Sequence, residues 1–242
     1  MRSVIREWGV VVGGLLLLGG GAWWLHARSE ANRLVRSDPQ AVFADPQLMR
    51  YVHQRGTVVY AAHCAGCHGR DRHGDVSRGI PDLADDNWIY ASDAVDLEHT
   101  VTYGIRSGHP KSRNVAEMPG MALTRQLTFS EVDDVVEYVL SISAQPHDAE
   151  AAERGHRIFF DKGNCFDCHA GDAKGVVDYG VPALTGPSWV YGGDRATLRN
   201  SVFGGRHGKC PAWIGVLSPA DIRAVAFDLV PPASRPGRNA LL

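Results

Sequence analysis

Cys64-Ala65-Gly66-Cys67-His68 and Cys165-Phe166-Asp167-Cys168-His169 decide how this chain is read, because the pattern recurs together with its surroundings. Gly79-Ile80-Pro81 follows the first motif and Gly180-Val181-Pro182 the second. Trp88-Ile89-Tyr90 has its counterpart in Trp189-Val190-Tyr191, and the interval from first cysteine to tryptophan is 24 residues in both copies. Chance recurrence of a short motif does not carry such neighbours with it, so the chain is a tandem duplication.

The pentapeptide has a mechanical logic. Two thiols about one helical turn apart can each form a thioether with a haem vinyl group, and the histidine that follows can reach the iron as proximal ligand. A thioredoxin-like redox pair would sit near a βαβ pattern, which the sequence lacks. A four-cysteine zinc site would need neither the histidines nor the duplicated surroundings. Two covalently bound haem c groups are therefore expected, on Cys64, Cys67 and His68 and on Cys165, Cys168 and His169. For the sixth coordination position of the first haem, Met118 before Pro119 is the leading candidate and Met121 its competitor. The second copy has no methionine, and its corresponding loop runs from Gly205 to Trp213. Cys210 holds the place before proline that Met118 holds in the first copy; His207 or no protein ligand are the alternatives. The expected iron ligands are thus His68 with Met118, and His169 with Cys210. Trp88 and Trp189 are candidates to bond or pack against the haem edge. Arg106 and Arg206 could neutralise propionates, although exposed arginines are commoner.

Helices frame each copy. Asp45-Pro46 opens one that runs toward Cys64, and 93–104 reads as a second. Ser130 can cap a third, whose Val132, Val135, Val136, Val139 and Leu140 fall at helical spacing. In the second copy 148–160 leads into Cys165, and Ser218-Pro219 opens a closing helix. No segment alternates like a strand. The expected fold is all-α, two tandem cytochrome c domains (45–143 and 148–230) after an N-terminal transmembrane helix (1–28), with a linker at 29–44 and a tail at 231–242. The apolar run from Gly9 to Leu25, flanked by Arg2, Arg6, Trp23 and Trp24, reads as a single membrane anchor or a cleaved export signal. Either delivers the haem domains to the periplasmic side of a bacterial inner membrane.

Five cysteines, four of them in the two motifs, are too few for a secreted disulfide scaffold of 242 residues, and a net charge of −2 points away from nucleic acid. The chain resembles the di-haem cytochrome c subunit (subunit III, CcoP or FixP) of cbb3-type cytochrome c oxidases over about 45–230. The carriers are the two haem motifs, the stretch Pro81 to Trp88, Gly104-Ile105-Arg106-Ser107-Gly108-His109, Pro182-Ala183-Leu184-Thr185 with Trp189-Val190-Tyr191-Gly192, and Pro211-Ala212-Trp213. The resemblance implies electron transfer toward a terminal oxidase, with a soluble cytochrome c, the bc1 complex or haem-copper oxidase subunits as partners. It also implies a methionine before Pro211, where this chain has Cys210. No catalytic site of its own is expected. The rival functions are an enzyme with a His/Cys-ligated haem acting on a sulfur oxyanion, in a cationic pocket of Arg206, His207 and Lys209, and an electron acceptor for a periplasmic dehydrogenase.

Overall fold

The structure, a computed structural model, describes residues 26–85, 89–90, 93–186 and 188–231. Residues 26–36 are helical (α1), followed by α2 (Pro39–Ala44), α3 (Pro46–His63), the one-turn α4 (Ala65–His68), α5 (Ala94–Tyr103) and α6 (Phe129–Ile142). The second copy contributes α7 (Ala149–Phe160), one-turn α8 (Phe166–His169), α9 (Arg195–Gly204) and α10 (Pro219–Leu229). Among the described residues, extended pairing is confined to isolated bridges.

Local hydrogen bonds set the helix starts. The carboxylates of Asp45, Asp93, Asp148 and Asp194 accept from the first-turn amides of α3, α5, α7 and α9, and the Ser218 hydroxyl does the same for α10. Pro46 and Pro219 occupy first-turn positions where a missing N–H costs nothing. The cap of α6 is Thr128, two residues before the expected Ser130. Its hydroxyl accepts from the Glu131 amide while the Glu131 carboxylate takes the Thr128 N–H at 2.8 Å, a reciprocal pair that Ser130 could not form.

The two copies, expected as tandem domains, exchange their closing helices in the packing. The closing helix of each copy lies against the opening helix of the other: α10 packs on α3 and α5, and α6 packs on α7 and α9. One core joins Leu34, Val42, Leu48, Val52 and Val59 to Ala224, Val225 and Phe227. A second joins Val132, Val135, Val136, Val139 and Leu140 to Leu198 and Val202. The short connection 143–148 folds α6 back on α7 as an antiparallel hairpin, which leaves α10 as the partner of α3. Both crossings are made at glycines. A Cβ on Gly155 would run into the Asp134 carbonyl, and one on Gly56 would lie 2.6 Å from the Asp228 Cβ.

The stretch 29–44 is also more than a linker, since α1 and α2 bury Leu34 and Val42 completely in the first core. The expected membrane anchor falls, up to residue 25, outside the described residues. Among the described residues no helix is long and apolar enough to cross a membrane.

Candidate functional site

Each haem motif sits where a long helix ends and a single further turn begins. The Cys64 amide still donates to Tyr60 O as α3 closes. Within the next turn the Cys67 and His68 amides both donate to Cys64 O, at 3.1 and 3.0 Å. The second copy repeats this, with Cys168 and His169 amides on Cys165 O at 3.2 and 2.9 Å. Both thiols and the imidazole of each motif are thereby presented from one turn.

The two histidines are oriented alike. His68 Nδ1 lies 3.3 Å from Pro81 O and His169 Nδ1 lies 3.2 Å from Pro182 O. With the proton on Nδ1 donated to that carbonyl, Nε2 keeps its lone pair for a metal, the arrangement in which an outer hydrogen bond fixes the tautomer of a ligating histidine. Burial pulls both imidazoles below their ordinary pKa and holds them neutral, while the bond to the proline carbonyl opposes this. Burial likewise pushes the Cys64 and Cys165 thiols up to about 11.

Beside the second motif lies a cleft of about 1350 Å³, its open mouth included, lined by Cys165, Cys168 and His169 together with Pro182, Trp189, Val135, Val139, Met118 and Met121. The donor set fits a covalently attached haem: unpaired thiols, a neutral imidazole with a free nitrogen, and apolar walls for a macrocycle. Met118 and Met121 differ in role, because Met121 is buried in the second core while Met118 only packs at its margin.

The two candidate distal donors lie beside the motif of the opposite copy. Met118, assigned to the His68 haem because both lie in the first copy, lines the cleft of His169. Cys210, assigned to the His169 haem, instead lies in electrostatic range of Cys64 and Cys67; burial, then those two sulfurs, pushes its thiol up to about 11. The cause is backbone exchange. Arg206 N donates to Met118 O at 3.0 Å, whereas Ile105 and Cys210 exchange both of their hydrogen bonds at 2.9 Å. Gly205 and Gly104, at left-handed φ of 77° and 75°, let the Met118-Pro119-Gly120 and Cys210-Pro211-Ala212 backbones approach closely; a side chain at either would strike them. His207 is exposed with Nδ1 3.5 Å from Glu117. Of the cations expected around Cys210, Arg206 instead lies over the Tyr191 ring at 4.6 Å, bonds Ser201 and lines the His169 cleft.

Trp88 lies outside the described residues, and Trp189 lines the cleft. The tyrosines that close the two Trp-x-Tyr stretches join the copies to each other. Tyr90, 2% exposed, packs over Gly180 of the other copy, and Tyr191 over Gly79. The recurrence of Gly-x-Pro and Trp-x-Tyr was visible, but not that each pair interlocks with the opposite copy.

Comparison with known families agrees with both halves. Residues 53–143 match the cytochrome c family, and residues 150–226 match the family described as cytochrome c oxidase, cbb3-type, subunit III. A cbb3-type cytochrome c oxidase subunit CcoP of Cereibacter sphaeroides is 41% identical over 207 residues, 84% of this chain and 70% of the relative. The chain belongs to the cbb3-type subunit III family. CcoP of Rhodobacter capsulatus is 39% identical (81% of this chain, 67% of the relative), and FixP of a Bradyrhizobium strain is 37% identical (79% and 68%). As a subunit of the cbb3 type with cytochrome c domains, it carries covalently bound haem c and transfers electrons.

Proposed function

We propose that the chain is a di-haem electron-transfer subunit that delivers electrons to a haem-copper oxidase on the periplasmic side of a bacterial inner membrane, held there by the apolar run Gly9 to Leu25. Support comes from the duplicated motif, each copy with its histidine turned by a proline carbonyl, and from the named relatives, which are oxidase subunits. In this proposal Cys64, Cys67, His68 and Cys210 would hold one haem. Cys165, Cys168, His169 and Met118 would hold the other. When bound, each haem supplies one iron that takes up and releases a single electron. The chain fixes the two imidazole tautomers through Pro81 and Pro182, excludes water with the two cores, and assigns each iron a different sixth donor.

The observation that carries this reading is the lining of the His169 cleft by Met118. The rival enzymatic function is less well supported, because Arg206 is engaged by Ser201 and His207 lies beside Glu117. The electrons would come from a soluble cytochrome c or the bc1 complex. Pyridine haemochrome and intact mass of the membrane-purified protein test the proposal: two haems per chain and co-isolation with a haem-copper subunit are expected. A single haem, or isolation always without such a subunit, would refute it.

A further inference from the structure

Arg106, a candidate propionate partner, lines the His169 cleft and also makes contacts that a propionate role does not explain. Its backbone is left-handed, with φ 46°, a conformation uncommon for a long side chain and tolerated where surrounding contacts fix it. Those contacts are specific. Nε–H donates to Gly208 O at 2.6 Å, and Nη1 donates to Ala116 O at 2.9 Å and to the Tyr90 hydroxyl at 3.2 Å. Gly208 stands two residues before Cys210, and Ala116 two residues before Met118. One guanidinium therefore holds both distal loops at the same place relative to the donor atom, and it does so from the first copy. The second copy has no equivalent, because the corresponding position, two after Gly205, is His207, which is exposed beside Glu117.

We infer that Arg106 is a positioning residue for both haem sites, a single fork that holds the Cys210 and Met118 loops against their irons at once. The inference rests on the axial pairing proposed above. Its physical basis is the rigid planar donor set of arginine, which can satisfy two carbonyls in fixed directions where an ammonium group cannot. Tyr90, from the same copy as Arg106 and seated on Gly180 of the other, buttresses the fork.

The test uses the full-length oxidised protein titrated with imidazole, followed by EPR and visible spectra that resolve the two haems. Met118→Ala and Cys210→Ala serve as references, each expected to open one haem, the His169 haem and the His68 haem respectively. Arg106→Ala is expected to open both, raising imidazole affinity about tenfold at each, the scale of one lost charge-assisted hydrogen bond per loop. Arg106→Lys, which keeps the charge and loses the fork, is expected to behave like Arg106→Ala, and it carries the test alone if the alanine variant does not fold. Arg106→Ala opening neither haem, or only one, would overturn the inference. So would full restoration by lysine, which would make charge alone the role. If the two reference variants open no haem, the axial pairing itself fails, an outcome distinct from failure of the fork.

Discussion

A thioether and a thiolate make different demands on iron. In the proposed pairing the His169 haem has the sulfur of Met118, while the His68 haem has that of Cys210, which donates more electron density and stabilises the ferric state. With that pairing the His68 haem would be the lower-potential member of the two. Replacing Cys210→Met is expected to raise the potential of the His68 haem and leave that of the His169 haem near its original value, as read in a spectroelectrochemical titration. The same variant removes a rhombic thiolate EPR signal; persistence of that signal would show that another group supplies it. At this scale the sequence offered candidate atoms and not their surroundings. Met118 and Cys210 stood out by the proline after each, but the proposed pairing depends on Gly104 and Gly205 admitting the other copy's backbone, a contact that no local pattern encodes.

Helices were the most legible level because their ends are decided by neighbours a few residues away. Asp45, Asp93, Asp148 and Ser218 cap where their side chains can reach the next amides, and each expected start agrees with the structure. The one displaced start, Thr128 for Ser130, reflects the reciprocal bond with Glu131. Thr128→Ala should cost about 1 kcal/mol, measured by chemical denaturation. Glu131 is also held by Lys162 and by Thr128, and these bonds lower its pKa from 4.5 to about 2. A carboxylate depressed on folding contributes stability that is complete above its unfolded pKa and is lost as pH falls through the folded one. Glu131→Gln is therefore expected to lower Tm at pH 7, with the difference from the parent shrinking between about pH 4.5 and pH 2. At the α6–α7 crossing, Gly155→Ala forces a methyl group against the Asp134 carbonyl and should destabilise by about 1–3 kcal/mol.

The exchange of closing helices is a property of the whole molecule, and it explains what the helical pattern left open. The apolar faces of α6 and α10 are alike in kind, so each suits either opening helix; the short 143–148 turn selects α7 for α6. Asp228 of α10, buried between them, receives a hydrogen bond from Arg72 at 2.7 Å and meets His53 at 2.9 Å, tying the end of the chain to the first haem region. Deleting residues 218–242 is accordingly expected to disrupt the His68 haem environment and to spare the His169 one, although the deletion is nearer in sequence to His169. Soret circular dichroism of the two haems, distinguished by their potentials, reads the outcome; loss at His169 alone would contradict the exchange.

The packing of α10 on α3 also sets an order of assembly. The Cys64 motif leaves the ribosome first, yet the core beside it stays open until the last helix has followed, more than 150 residues later, as the Arg72–Asp228 separation of 156 measures. The Cys165 motif, made afterwards, finds its α6 partner already synthesised. The earlier cysteines would thus wait longest in a reachable state, so thioether formation at Cys64 and Cys67 is expected to tolerate a slower attachment step than at Cys165 and Cys168.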